Sequence, residues 1–142
     1  SMEIPNRPEI FGRQLVMDEQ DHILDEEKRL LIHATQVGVD HVLYEARRFG
    51  GTAFPAHVDK PAYSVISVLG AIPPEAGFHT AEISFTGSPE ALLQTNPELS
   101  GMLLLRNSDA HYLEHMRDPG PTLELPEASA QAVIRFLDEQ NI

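Results

Sequence analysis

The sequence predicts an α/β protein built from parallel β-α units, and three observations carry that expectation. Short apolar segments alternate with stretches of helical spacing from Thr52 onward. The segment Met102–Leu105 is apolar throughout, as in a strand buried on both faces of a parallel sheet. The intervening segments carry helix punctuation, for example Ser88-Pro89-Glu90, which places a capping hydroxyl, a proline and an acid in the order a helix start favours. At 142 residues with 42% hydrophobic content, the chain is long enough and apolar enough for a single domain spanning 1–142.

The elements follow in order. Gln14–Asp18 alternates apolar and polar side chains, Glu19-Gln20-Asp21 supplies a turn, and His22–Leu24 returns, which gives a short N-terminal hairpin. Asp25 is placed to cap a helix running through Thr35, with Leu30, Leu31 and Ala34 inward. Asp40 is placed to cap a second helix carrying Val42, Leu43, Ala46 and Phe49, ended by Gly50-Gly51 in a left-handed cap. A strand at Thr52–Ala56, a helix near Tyr63–Leu69, a strand at Thr80–Ser84, a helix from Ser88 and the strand at Met102–Leu105 come next. Thr122–Leu125 reads as a last strand and Glu127–Gln140 as a last helix, with Ala132, Val133, Phe136 and Leu137 as its buried stripe.

Charge and composition narrow the function. A net charge of −12, with no basic cluster, opposes a nucleic-acid groove. No apolar run is long enough for a membrane span and no signal sequence opens the chain, so the expected setting is cytoplasmic with no membrane partner. With no cysteine, a bound metal would have to be held by His, Asp and Glu. Three expected strands end in such groups: Thr52–Asp59 in His57 and Asp59, Thr80–Ser84 in Glu82, and Leu103–His111 in Asp109 and His111. The C-terminal ends of parallel strands open on one face, so these groups are expected to converge and could serve Zn or Mn.

Phe54-Pro-Ala-His57-Val-Asp59-Lys60-Pro, Leu69-Gly-Ala-Ile-Pro73 and Asn107-Ser-Asp109-Ala-His111 resemble the later motifs of the polymerase and histidinol phosphatase (PHP) family, and Phe11–Asp18 resembles what precedes them. The resemblance implies part of a distorted, TIM-like β/α barrel, the C-terminal portion of a PHP-like phosphoesterase domain. It implies His57, Asp109 and His111 as metal ligands, Glu82 and Asp59 supporting them, a divalent metal (Mn, Zn or Fe) and a small-molecule phosphate ester as substrate of the complete protein. Lys60 and Arg106 flank the ligand blocks and are candidates for a substrate phosphate.

The family's opening His-x-His strand has no counterpart, since no His-x-His occurs in this sequence. The metal would then be absent or weakly held, and two functions stay open: a truncated metal-dependent phosphoesterase acting on a phosphomonoester or nucleotide, and a non-catalytic, degenerate half-barrel used for association. An incomplete barrel also exposes a strand edge, expected at Thr52–Ala56, and hence a homodimer.

Plainer readings stand beside each residue. His57 alone also fits a core histidine, Glu82 a solvated edge residue, Ser108 and Asp109 a helix cap, and Lys60 and Arg106 solvated surface charge. His22, His33, His41, His79 and His115 read as surface positions.

Overall fold

A computed structural model of the chain describes residues 4–117 and 120–138 and divides it into two units, one running to Gly38 and one beginning at Val39. The fold is mixed α/β, with one antiparallel hairpin and one parallel strand pair and no closed barrel among the described residues.

The first unit is the expected hairpin behind a short helix, α1 (Pro8–Phe11). Strands β1 (Leu15–Met17) and β2 (Ile23–Glu26) pair antiparallel, and Asp18 closes their turn by accepting hydrogen bonds from the Gln20 and His22 N–H groups. The helix expected at Asp25–Thr35 does not form. A helix there would need the Arg29 N–H on the Asp25 carbonyl, but Arg29 N–H goes to the Glu27 carboxylate, Glu27 N–H to the Gln14 carbonyl and Leu30 N–H to the Ile4 carbonyl. The Gln14 amide fixes this path: it donates to the Glu27 and Arg29 carbonyls and accepts from Leu31 N–H. None of residues 4–38 is fully buried, so side chain–backbone bonds rather than a core define this unit.

The second unit holds the core. Helix α2 (Val39–Arg48) begins one residue before the expected cap, so Asp40 lies in the first turn, where its charge complements the helix dipole. Gly50 ends the helix at φ 75°, with Gly51 N–H on the Ala46 carbonyl and Gly50 N–H on the Arg47 carbonyl, the bonding of a left-handed glycine cap. Only Leu43 of its expected apolar stripe is fully buried, and Phe49 is 86% exposed. Helix α3 (Val65–Leu69) starts at Ser64, which exchanges hydrogen bonds with Ser67 in a capping box.

Strand β3 (Thr80–Ser84), helix α4 (Pro89–Thr95) and strand β4 (Leu103–Asn107) form a parallel β-α-β unit, in register from Thr80↔Leu103 to Ser84↔Asn107. Ser88 caps α4 by accepting from Ala91 N–H. Alternation puts Ala81 and Ile83 on one face, where they pack with Leu43, Val58, Ile72, Phe78, Leu92 and Leu99, with Leu104 against them. Thr80, on the other face, donates from its hydroxyl to the Leu137 carbonyl of helix α5 (Ala130–Asp138). Asp138 then ties α5 to Arg47 and Thr52. The expected stripe of α5 holds, with Ala132 and Leu137 buried and Val133 and Phe136 half-buried, while Glu139 and Gln140 lie outside the described residues.

Three strand expectations change. Thr52–Ala56 forms no regular strand, although it crosses β3: Glu82 N–H donates to the Pro55 carbonyl and Val58 N–H to the Glu82 carbonyl. A regular parallel ladder would use residues two apart, and here they are three apart, so Ala56 and His57 make a bulge opposite Glu82. Thr122–Leu125 is not a strand either, because Pro121 and Pro126 bracket it and neither can donate to a ladder. Strand β4 is half-buried instead of buried on both faces: Leu104 packs against the core, while Arg106 is exposed.

Gly87 follows β3 where a Cβ would collide with the Asp59 carboxylate and stand 3.2 Å from the Ser84 carbonyl. Gly87→Ala is expected to lower stability by about 1–3 kcal/mol in urea denaturation. In the Asp59→Ala background the same change should cost clearly less; an equal cost in both backgrounds would show that the carboxylate is not the obstacle.

Candidate functional site

The bulge, the C-terminal ends of β3 and β4 and the turn after β4 assemble the polar residues singled out in the sequence. Lys60 Nζ donates to Asp109 Oδ2 at 2.5 Å, joining the loop after the bulge to the turn after β4. Asp59 accepts from the Ser84 N–H at 2.7 Å and from the Ser84 hydroxyl. Asn107 Nδ2 donates to Glu82 Oε2 at 2.9 Å across the strand pair. The His111 ring Nδ1 lies 2.9 Å from the Asp109 carbonyl oxygen.

Two of these residues have left-handed backbone conformations unusual for side chains other than glycine, His57 at φ 33° and Asp109 at φ 50°. His57 also buries its ring Nδ1 without a hydrogen-bond partner among the described residues. Strain and an unsatisfied buried nitrogen both cost stability, and such costs concentrate where the chain positions a group for a purpose.

The electrostatics agree with the contacts. The Lys60 hydrogen bond is the largest influence on the Asp109 carboxyl and, with the charge of Lys60 and of His57 and His111 when protonated, holds it below its ordinary range against the upward effect of burial. For Asp59 burial is the largest influence and acts upward. The hydrogen bonds from Ser84 and the charge of Lys60 together outweigh it and leave the carboxyl below its ordinary value.

Asp59, Lys60, Glu82 and Asp109 therefore all reach the strand ends, and His57 and His111 lie near enough to act electrostatically on Asp109. Arg106 does not join them. Its register partner is Ile83, so it belongs to the opposite face from Glu82 and Asn107, and its guanidinium donates to the Gly87 carbonyl. Ser84 and Asn107 are site residues the sequence reading did not assign. The available signal was strand period: they lie two residues beyond Glu82 and Leu105 on the same face.

These residues do not fit a divalent cation as they stand. Among the described residues no three His, Asp or Glu side chains form a group able to hold one. The three carboxylates nearest the strand ends each accept a hydrogen bond from the chain itself, Asp109 from Lys60, Asp59 from Ser84 and Glu82 from Asn107. Compared with known proteins, the chain matches no family model, no curated protein and no solved structure.

The depressed carboxyls make stability acid-sensitive. Folded Asp59 and Asp109 titrate below the ordinary value of 3.8, so below that pH the unfolded chain binds more protons than the folded one. Their contribution is complete above about pH 4–5 and is lost as pH falls through the folded values. Asp59→Asn is expected to lower stability at neutral pH by about 1–3 kcal/mol and to flatten the acid limb of a Tm-against-pH profile. An unchanged acid limb would show that Asp59 is not one of the groups setting it.

Proposed function

We propose that this chain is a non-catalytic α/β interaction module, a degenerate half-barrel whose strand-end polar residues organise the fold. The observation that supports this most directly is the Lys60–Asp109 ion pair. A hydrolytic metal needs carboxylate oxygens free to coordinate it and an open position for water. Here Oδ2 of Asp109, a residue of the ligand set implied by the PHP resemblance, already accepts from a cation of its own chain.

A second reading, a truncated phosphoesterase acting on a phosphomonoester or nucleotide, is favoured by the buried Nδ1 of His57, which has no hydrogen-bond partner among the described residues. In that reading His57, Asp109 and His111 hold the metal and Lys60 has to leave Asp109. Calorimetric titration with Mn or Zn separates the two. The interaction-module reading predicts no saturable binding that depends on His57 at metal concentrations up to about 0.1 mM, and no turnover of a generic phosphomonoester. Stoichiometric uptake abolished by His57→Ala, strengthened by Lys60→Met and accompanied by turnover would establish the phosphoesterase instead.

A further inference from the structure

The register of the parallel pair fixes which backbone groups of β4 are in use. Leu103 N–H donates to the His79 carbonyl, and from that phase Leu103, Leu105 and Asn107 bond toward β3. The N–H and C=O groups of Leu104 and Arg106 then face away from β3, and among the described residues no backbone partner is recorded for them. The other strand is not in this position, because the far side of β3 is met by Pro55 and Val58 at Glu82. Beside the edge predicted at Thr52–Ala56, β4 therefore presents an edge of its own among the described residues.

Protein edges are normally guarded by lysine, proline, a bulge or an inward charge, and parallel strands are normally covered. Strand β4 reads Leu-Leu-Leu-Arg-Asn, regular in register, with Arg106 as its one charged residue. Such an edge is built to be paired.

We infer that β4 is an interaction surface for a second copy of this chain, joined antiparallel across a two-fold axis at Leu105. The argument for a second copy is that the edge is complementary to itself. With Leu105 on the axis, Leu104 of one copy stands opposite Arg106 of the other, so the two residues with outward backbone groups become hydrogen-bonded pairs. The same register sets each Arg106 beside a leucine and not beside its own equivalent, which avoids a like-charge pair. Strand pairing alone falls short of the roughly 1,200 Å² of a stable interface, and the segment that follows β4 exposes Tyr112, Leu113 and Met116. The net charge of −12 on each copy opposes association over distance, but salt screens it beyond about 8 Å. The inference does not depend on what the strand-end site binds.

Sedimentation velocity of the full chain over a concentration series tests it, with two variants. Arg106→Pro removes an outward N–H that β3 does not use, so it should leave the fold and its circular dichroism intact and give a monomer. Arg106→Ala loses the side chain and its Gly87 contact but keeps the N–H, and should remain dimeric. Should the proline variant fail to fold, amide exchange in the wild-type chain decides: exchange at Leu104 and Arg106 should slow several-fold as concentration rises through the association range. A monomer throughout, a dimer that folded Arg106→Pro retains, or protection of these amides independent of concentration, as a strand from the same chain would produce, each overturns the proposal.

Discussion

The second unit depends on one residue's backbone. Glu82 donates to the Pro55 carbonyl and accepts from Val58 N–H, and these two bonds anchor the segment after α2 against β3. Because one extra residue lies between those partners, Ala56 and His57 leave the ladder, His57 takes a left-handed φ, and Asp59 and Lys60 emerge at the strand ends. Val58, the residue on the far side of the bulge, is buried to 2% exposure in the main core. The same short loop therefore secures the core through Val58 and delivers the polar groups on either side of it.

Once delivered, those groups find partners within the chain. A buried or half-buried carboxylate is costly unless it is hydrogen-bonded, and each of these carboxylates has a partner from its own chain. Asp59 with Ser84, Glu82 with Asn107 and Asp109 with Lys60 each cross between separate segments, so together they pin the bulge, β3, β4 and the turn after β4. The Lys60–Asp109 pair retains partial solvent access on both sides, which limits its direct contribution to stability. Its larger consequence is that Oδ2 of Asp109 already has a cation beside it. Among the described residues, the buried Nδ1 of His57 remains without a hydrogen-bond partner.

How much of this was legible follows from which interactions are local. The punctuation around Ser88-Pro89 and Gly50-Gly51 acts within a few residues, and α4 and the end of α2 appear where those signals place them. The strand Thr80–Ser84 is found with its expected bounds, its alternation being written in its own residues. The helix expected from Asp25 fails because Gln14, eleven positions earlier, supplies a side chain that captures the Glu27–Leu31 backbone, and no local propensity encodes that capture. The strand expected at Thr52–Ala56 fails on a single inserted residue, a register property that appears only with the partner strand in place. For the site, topology led to the expectation of convergence at parallel strand ends, and what the structure shows there is a set of pairs: Lys60 with Asp109, Asp59 with Ser84 and Glu82 with Asn107. Those pairs were not legible, because Ser84 and Asn107 carry no chemical signature until the register with Glu82 and Leu105 is known. The wider barrel and the phosphoesterase chemistry rest on motif resemblance, and the described strands form only one parallel pair.

Site-resolved amide hydrogen exchange at Val58 and Glu82 tests the central claim most directly. If the bulged loop is anchored across β3 as described, both amides exchange only through global unfolding, at the rates of Ile83 and Leu105 within the strand pair. Fast exchange at Val58 and Glu82 while Ile83 and Leu105 stay protected would show that the loop is not held on β3, and the arrangement of Asp59, Lys60 and Asp109 built on it would fall with it.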